Sequence, residues 1–127
     1  MENNPIDLIL SGASGKMGRE ILKLVIGSDK FRLIGALENE NCVQIGQDAL
    51  KFIGQNSGIT ITDNADSIRC KSQNNIVLID FSNPKNTIHM LDLCVSKSIG
   101  MVIGTTGFSE KELLLCLLYT SDAADEP

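Results

Sequence analysis

Three evenly spaced glycines, Gly12, Gly15 and Gly18, are the residues of this chain best suited to chemistry. Their chemistry is the holding of a phosphate group. They sit in Gly12-Ala-Ser-Gly15-Lys-Met-Gly18, directly after the apolar run Ile6-Asp-Leu-Ile-Leu-Ser11. Glycine allows a tight turn out of a strand, close approach of the backbone to a pyrophosphate, and tight packing of the following helix. The start of that helix then presents unpaired N–H groups and the positive end of a dipole to the phosphates. Glu38 follows twenty residues after Gly18 and ends a second apolar run, where a carboxylate accepts hydrogen bonds from a ribose. Taken alone, the glycine spacing reads equally as an ordinary turn, Glu38 as a solvated carboxylate and Lys16 as a surface residue. Their shared context favours a dinucleotide. A P-loop does not fit, because Leu10 stands where its first glycine is needed and Met17 where Ser or Thr must hold magnesium.

These residues need a strand–helix–strand frame, and the sequence supplies one. Residues 6–11 read as a buried parallel strand. Met17, Ile21, Leu24 and Val25 mark the apolar face of a helix that Gly27 stops, and Phe31–Leu37 reads as the second strand. The polar stretch 39–58 predicts only a short helical turn at 48–53. Gly58–Thr62 predicts a third strand and Ala65–Arg69 a brief helix. Asn75–Phe81 is the strongest buried-strand candidate. Pro84 opens a helix capped by Asn83 or Ser82, with Ile88, Leu91 and Val95 facing inward. Gly100–Gly104 predicts a fifth strand, and Ser109-Glu-Lys-Glu112 has the form of a capping box. Alternating strands and helices predict an α/β fold, a doubly wound parallel sheet of the Rossmann type.

Composition sets the bounds. The chain has 127 residues, 43% of them hydrophobic, and a net charge of −5, which suits one domain and argues against nucleic acid. No apolar run is long enough to span a membrane, and the amino terminus lacks the features of a secretory signal. A cytoplasmic protein is expected. Cys42, Cys70, Cys94 and Cys116 are dispersed and His89 is the single histidine, so no metal site is expected. The thiols read as reduced, and His89 as a helix surface or packing residue. Residues 116–126, Cys-Leu-Leu-Tyr-Thr-Ser-Asp-Ala-Ala-Asp-Glu, resemble the translation of a transposase-type sequencing adapter. The expected organisation is therefore an incomplete dinucleotide-binding domain at 1–115, a non-native tail at 116–127, and a substrate domain beyond the chain.

Two further motifs narrow the family. Ile79-Asp-Phe-Ser-Asn-Pro-Lys-Asn-Thr87 ends the fourth strand, and Met101-Val-Ile-Gly-Thr-Thr-Gly-Phe108 spans the fifth. With the glycine loop and Ala36-Leu-Glu38 they resemble, in order and spacing, the amino-terminal half of dihydrodipicolinate reductases, over residues 5–115. The resemblance implies NADH or NADPH as cofactor. By it, Gly12, Ala13, Ser14, Gly15, Lys16 and Met17 would form the pyrophosphate loop, and Glu38 would hold the adenine ribose. Phe81 would lie beside the cofactor, and Gly104, Thr105 and Thr106 would line the nicotinamide end. Without the family, Gly104–Gly107 reads as a strand-to-helix turn, and Asp80-Phe81-Ser82 as strand-end packing and capping. The chain departs from the family at Asn39 and Asn83, where many members carry Arg.

The activity implied is reduction of 4-hydroxy-tetrahydrodipicolinate to tetrahydrodipicolinate, in the diaminopimelate route to lysine, by an enzyme that is a homotetramer when complete. The family's catalytic His-His-x-x-Lys region has no counterpart here, so no catalytic residue is assigned and the chain alone is expected to be inactive. Two rival readings use the same fold. An atypical short-chain dehydrogenase or epimerase would show a Tyr-x-x-x-Lys pair, but Ala123 stands four residues after Tyr119. A dinucleotide- or CoA-sensing module would carry a DNA-binding or ligase partner domain.

Overall fold

The computed structural model describes residues 5–71 and 75–116. Strand β1 (Ile6–Ser11) leads through the glycine loop into helix α1 (Lys16–Ile26), and β2 (Phe31–Leu37) follows. A long connection then carries two single-turn 3-10 helices, Lys51–Ile53 and Ala65–Ser67, around the short β3 (Ile61–Thr62). The remaining elements are β4 (Ile76–Asp80), α2 (Pro84–Lys97) and β5 (Gly100–Ile103). All pairings within the sheet are parallel, and the strand order is β3-β2-β1-β4-β5. The chain thus runs outward one way from β1, then crosses back to build β4 and β5 on its other side. This is the predicted doubly wound sheet, and the reversal falls between β1 and β4.

Residues of β1 alternate between two cores because successive strand side chains point to opposite faces. Leu10 packs with Leu22 of α1, Ala36, Leu50 and Ile61 on one face. Ile9 packs with Leu78, Met90, Cys94 and Ile99 on the other, under α2. Leu10, Leu22 and Leu78 are fully buried, and truncating such a leucine to alanine costs roughly 2–5 kcal/mol. Asp7 is also buried, and the Arg32 Nε donates to its Oδ1 at 2.8 Å across the β1–β2 pair.

The inward faces of both main helices overlap only in part with their apolar spacing: Ile21 packs on the core and Val25 and Leu91 are buried as predicted, but other positions differ. In α1 the buried residues are Gly18, Leu22 and Val25, while Met17 and Leu24 are exposed. Glycine is the contact because the helix lies almost on the loop that precedes it: a Cβ on Gly18 would stand 2.2 Å from the Gly12 carbonyl oxygen. In α2 the buried set is Thr87, Met90, Leu91 and Cys94, with Val95 exposed. Thr87 is drawn inward by a buried carboxylate beneath it. Asn83 is the N-cap, accepting from the Asn86 amide, and Pro84 follows at the first helical position. Ser98 ends α2 in the left-handed region, φ 56°. The predicted third strand shrinks to two residues, because Thr60 instead forms an antiparallel bridge with Asp48. After β5 the capping box forms as read: the Ser109 amide donates to Glu112 Oε1 at 2.9 Å, and the Glu112 amide to Ser109 Oγ at 3.2 Å. It opens a helix over residues 110–116. Apart from Cys116, the tail reading and the Tyr119–Ala123 spacing lie outside the described residues.

Candidate functional site

The carboxyl ends of β1, β2 and β4 open onto a cleft of about 620 Å³, within the ~300–1,000 Å³ usual for small-molecule sites. It lies over the crossing point between β1 and β4, where such sheets bind ligands. Gly12 and Gly15 line it from the loop after β1, Glu38 from the end of β2, and Phe81 from the end of β4.

The glycine loop is held from both sides. The Gly12 and Ala13 amides donate to the Leu37 carbonyl at 3.0 and 3.2 Å. Gly12 has a φ of 84°, and a Cβ there would stand 2.4 Å from the Phe81 carbonyl oxygen. Only glycine fits such a position. Gly15 differs: its φ is −73°, and the nearest atom to a Cβ is the Gly12 carbonyl oxygen at 3.4 Å. It leaves open the space of the cleft. The helix begins with the Arg19 amide donating to the Gly15 carbonyl at 3.0 Å. The amides of Lys16, Met17 and Gly18 precede that first helical bond and are the ones a helix start offers to an anion. The Lys16 and Met17 side chains are exposed and do not line the cleft.

Ala13 and Ser14 face away, onto a second cavity of about 260 Å³ that Arg19, Asp48 and Phe52 also line. Arg19 stacks over the Phe52 ring there, 5.0 Å from its centroid. Asp48 fixes the surrounding loop by accepting from the Leu50, Ser57 and Gly58 amides and the Ser57 hydroxyl. Burial pushes its pKa up, but those hydrogen bonds outweigh burial and leave it below the usual value.

Glu38, expected from the sequence to hold the adenine ribose, is tied to the glycine loop. Its Oε2 accepts the Ser14 amide at 2.7 Å and its Oε1 the Asn39 amide at 3.2 Å. The carboxylate therefore braces the glycine loop and borders the cleft at once. Glu40 and Asp63 line the same end, and among the described residues no Lys or Arg lines the cleft. Asn39 has turned to local work, its Oδ1 accepting the Asn41 amide at 2.9 Å.

At the other end, Gly104 lies against Phe81, where a Cβ would fall 2.1 Å from the ring. Thr105 Oγ1 accepts the Ser82 amide at 3.1 Å and donates to Asp80 Oδ2 at 2.8 Å. Thr106 is exposed, and neither threonine borders the cleft directly. Reasoning from sequence missed the α2 wall, where Asn83, Asn86, His89 and Met90 line the cleft. His89, read as a helix surface or packing residue, is exposed at its rim. The available signal was the helix cap, since residues in the first turns after Asn83 must stand over the strand ends. Among the described residues no three of His, Cys, Asp and Glu gather as a metal site would need. None of their helices is long and apolar enough to cross a membrane.

The family model for dihydrodipicolinate reductase, N-terminus, matches residues 6–116. The chain belongs to this family. It is 43% identical over 119 residues to a 4-hydroxy-tetrahydrodipicolinate reductase of Nitrosospira multiformis, covering 94% of this chain and 43% of that protein. A reductase of the same name from Burkholderia pseudomallei is 37% identical over 105 residues, covering 83% of this chain and 38% of the relative. The chain thus spans less than half the length of these dihydrodipicolinate reductase relatives. Among solved structures, a dipicolinate-bound dihydrodipicolinate reductase from Paenisporosarcina sp. TG-14 superposes with a TM-score of 0.67 at 22% identity. It matches 94% of this chain and 44% of the other. That likeness establishes the shared fold.

Proposed function

We propose that this chain is the dinucleotide-binding part of a 4-hydroxy-tetrahydrodipicolinate reductase, taking NADH or NADPH and serving the diaminopimelate route to lysine. The single observation that carries the reading is the convergence of Gly12, Gly15, Glu38 and Phe81 on one cleft over the strand crossing. The family membership of residues 6–116 supports it. On this reading the amides at the start of α1 hold the pyrophosphate, Gly15 leaves it room, and Glu38 holds the adenine ribose. Phe81, with Gly104 packed on its ring, borders the second nucleoside, beside Thr105 and Thr106. The bound dinucleotide supplies the hydride; the protein orients it. Water exclusion and proton transfer to the substrate belong to a further domain, which we place in the remaining length of the relatives. We place the dinucleotide-binding domain at residues 1–115 and read 116–127 as no part of it. The complete enzyme is a cytoplasmic homotetramer on this reading.

The test is titration of this chain with NADH, followed by nicotinamide fluorescence. Saturable binding without turnover is expected, and turnover once the chain is joined to a relative's carboxyl-terminal part. Acid–base assistance alone is worth ~10²–10⁴-fold in rate, so losing its donors leaves no measurable reaction. Failure to bind NADH, NADPH or ADP-ribose would overturn the reading.

A further inference from the structure

Asp80, the last residue of β4, is fully buried, yet it faces no cation among the contacts described. Its partners are hydroxyls from three segments. Ser82 Oγ donates to Oδ1 at 2.6 Å, in the loop after β4. Thr105 Oγ1 donates to Oδ2 at 2.8 Å, in the loop after β5. Thr87 Oγ1, on α2, shares Oδ2. The network has a fixed direction. Asn86 Nδ2 donates to Ser82 Oγ at 2.9 Å and to Ser11 Oγ at 3.0 Å, and the Ser82 amide donates to Thr105 Oγ1 at 3.1 Å. Each hydroxyl of Ser82 and Thr105 therefore accepts on one side and passes its single proton to Asp80. An ionised carboxylate accepts only, so it sets the orientation of them all. Through Thr105 the carboxyl group also holds the β5 loop on the β4 loop, and beside it the Gly104 amide donates to the Asp80 backbone carbonyl at 2.8 Å.

This cluster underlies the half of the cleft away from Glu38. With the adenosine at the glycine loop and β2, the second nucleoside of a dinucleotide must cross to the ends of β4 and β5. We propose that Asp80 is a positioning residue for that second, nicotinamide nucleoside: by taking the protons of Ser82 and Thr105 it locks the β4 and β5 loops into the one arrangement that receives it. The proposal rests on the dinucleotide reading above. A plain core role would instead support both ends of the cleft alike.

The experiment compares NADH with ADP-ribose, which lacks nicotinamide, by titrating this chain and its Asp80→Asn variant. Asparagine keeps the shape but must donate where the carboxylate accepted. Affinity for NADH should fall about tenfold, the consequence of one mismatched buried hydrogen bond, while ADP-ribose binding stays within about twofold. Because Asp80→Asn is also a core change, Thr105→Val and Thr105→Ser form a second pair. Valine should reproduce the selective loss, and serine, which keeps the hydroxyl, should restore NADH affinity. Equal losses for both ligands, or no loss for either in the Thr105 pair, would overturn the proposal and leave the dinucleotide reading standing. Equal affinity of the unaltered chain for NADH and ADP-ribose would do the same. An unaltered chain that binds neither ligand overturns the dinucleotide reading itself, and this proposal with it.

Discussion

Two glycines three residues apart in one motif do different work. Gly18 faces backbone: a Cβ there would meet the Gly12 oxygen at 2.2 Å and the Ala13 oxygen at 2.9 Å. Gly18→Ala must push α1 off the loop, and overpacking of this kind costs roughly 1–3 kcal/mol. Gly15 has an ordinary φ, and a Cβ there would make only ordinary contact, 3.4 Å from the Gly12 oxygen, so Gly15→Val should melt near the parent temperature yet lose dinucleotide binding. Thermal melts and NADH titrations of both variants check the contrast; a Gly15→Val chain that still binds would remove the loop from the site. Charge at the other end of the cleft bears on the proposed choice of cofactor. Glu38, Glu40 and Asp63 line it with no Lys or Arg among the described residues, and a 2′-phosphate placed there meets repulsion of about 1 kcal/mol per close like charge even in high dielectric. NADH should therefore bind several-fold more tightly than NADPH, and a competition titration showing the reverse order would be decisive against this assignment. The spacing from Gly18 to Glu38 made this residue legible. Its grip on the Ser14 amide was not, because no pattern along the chain shows which loop atoms a carboxylate will meet.

At the scale of elements, strands were easier to read than helix faces. The runs at β1 and β4 are mostly apolar because these central parallel strands are covered on both sides, while β2 and β5 keep apolar runs although part of each is exposed. Helices lying on such a sheet are less obvious. Apolar spacing counts large side chains, whereas α1 makes its closest approach through Gly18 and α2 turns Thr87 inward to meet Asp80. A buried threonine beside a buried aspartate has no hydrophobic signature. Short β3 was over-read for a related reason: Asp48, by its hold on Ser57 and Gly58, bends the preceding residues into a loop that alternation alone cannot show. End signals fared better. Asn83 accepts the Asn86 amide at 2.9 Å, and its position before Pro84 made it readable. Asn83→Ala should cost about 1 kcal/mol of stability, measurable by denaturant unfolding. Asn83→Asp should match the parent; an unchanged alanine variant would show that the cap contributes nothing.

For the molecule as a whole, the sheet is unevenly finished. β5 is one of its two outer strands, with Val102 53% and Ile103 39% exposed, and an open apolar edge invites pairing with another chain. Sedimentation of this chain should show concentration-dependent association that Val102→Lys reduces; a monomer at every concentration would contradict it. The opposite condition holds under α2. Cys94 is 2% exposed, and burial, then the nearby Asp80 charge, raises its thiol pKa to about 11. The pH consequence has a definite sign. Stability from the neutral thiol is fully present below the unfolded value of 9.0 and declines as pH rises towards 11. Near neutral pH the folded thiol is both shielded and protonated, and it reacts only when the α2 side of the core opens. Its alkylation rate is thus a clock for that opening, built into the chain without a label, and a ligand that binds the closed form should slow it.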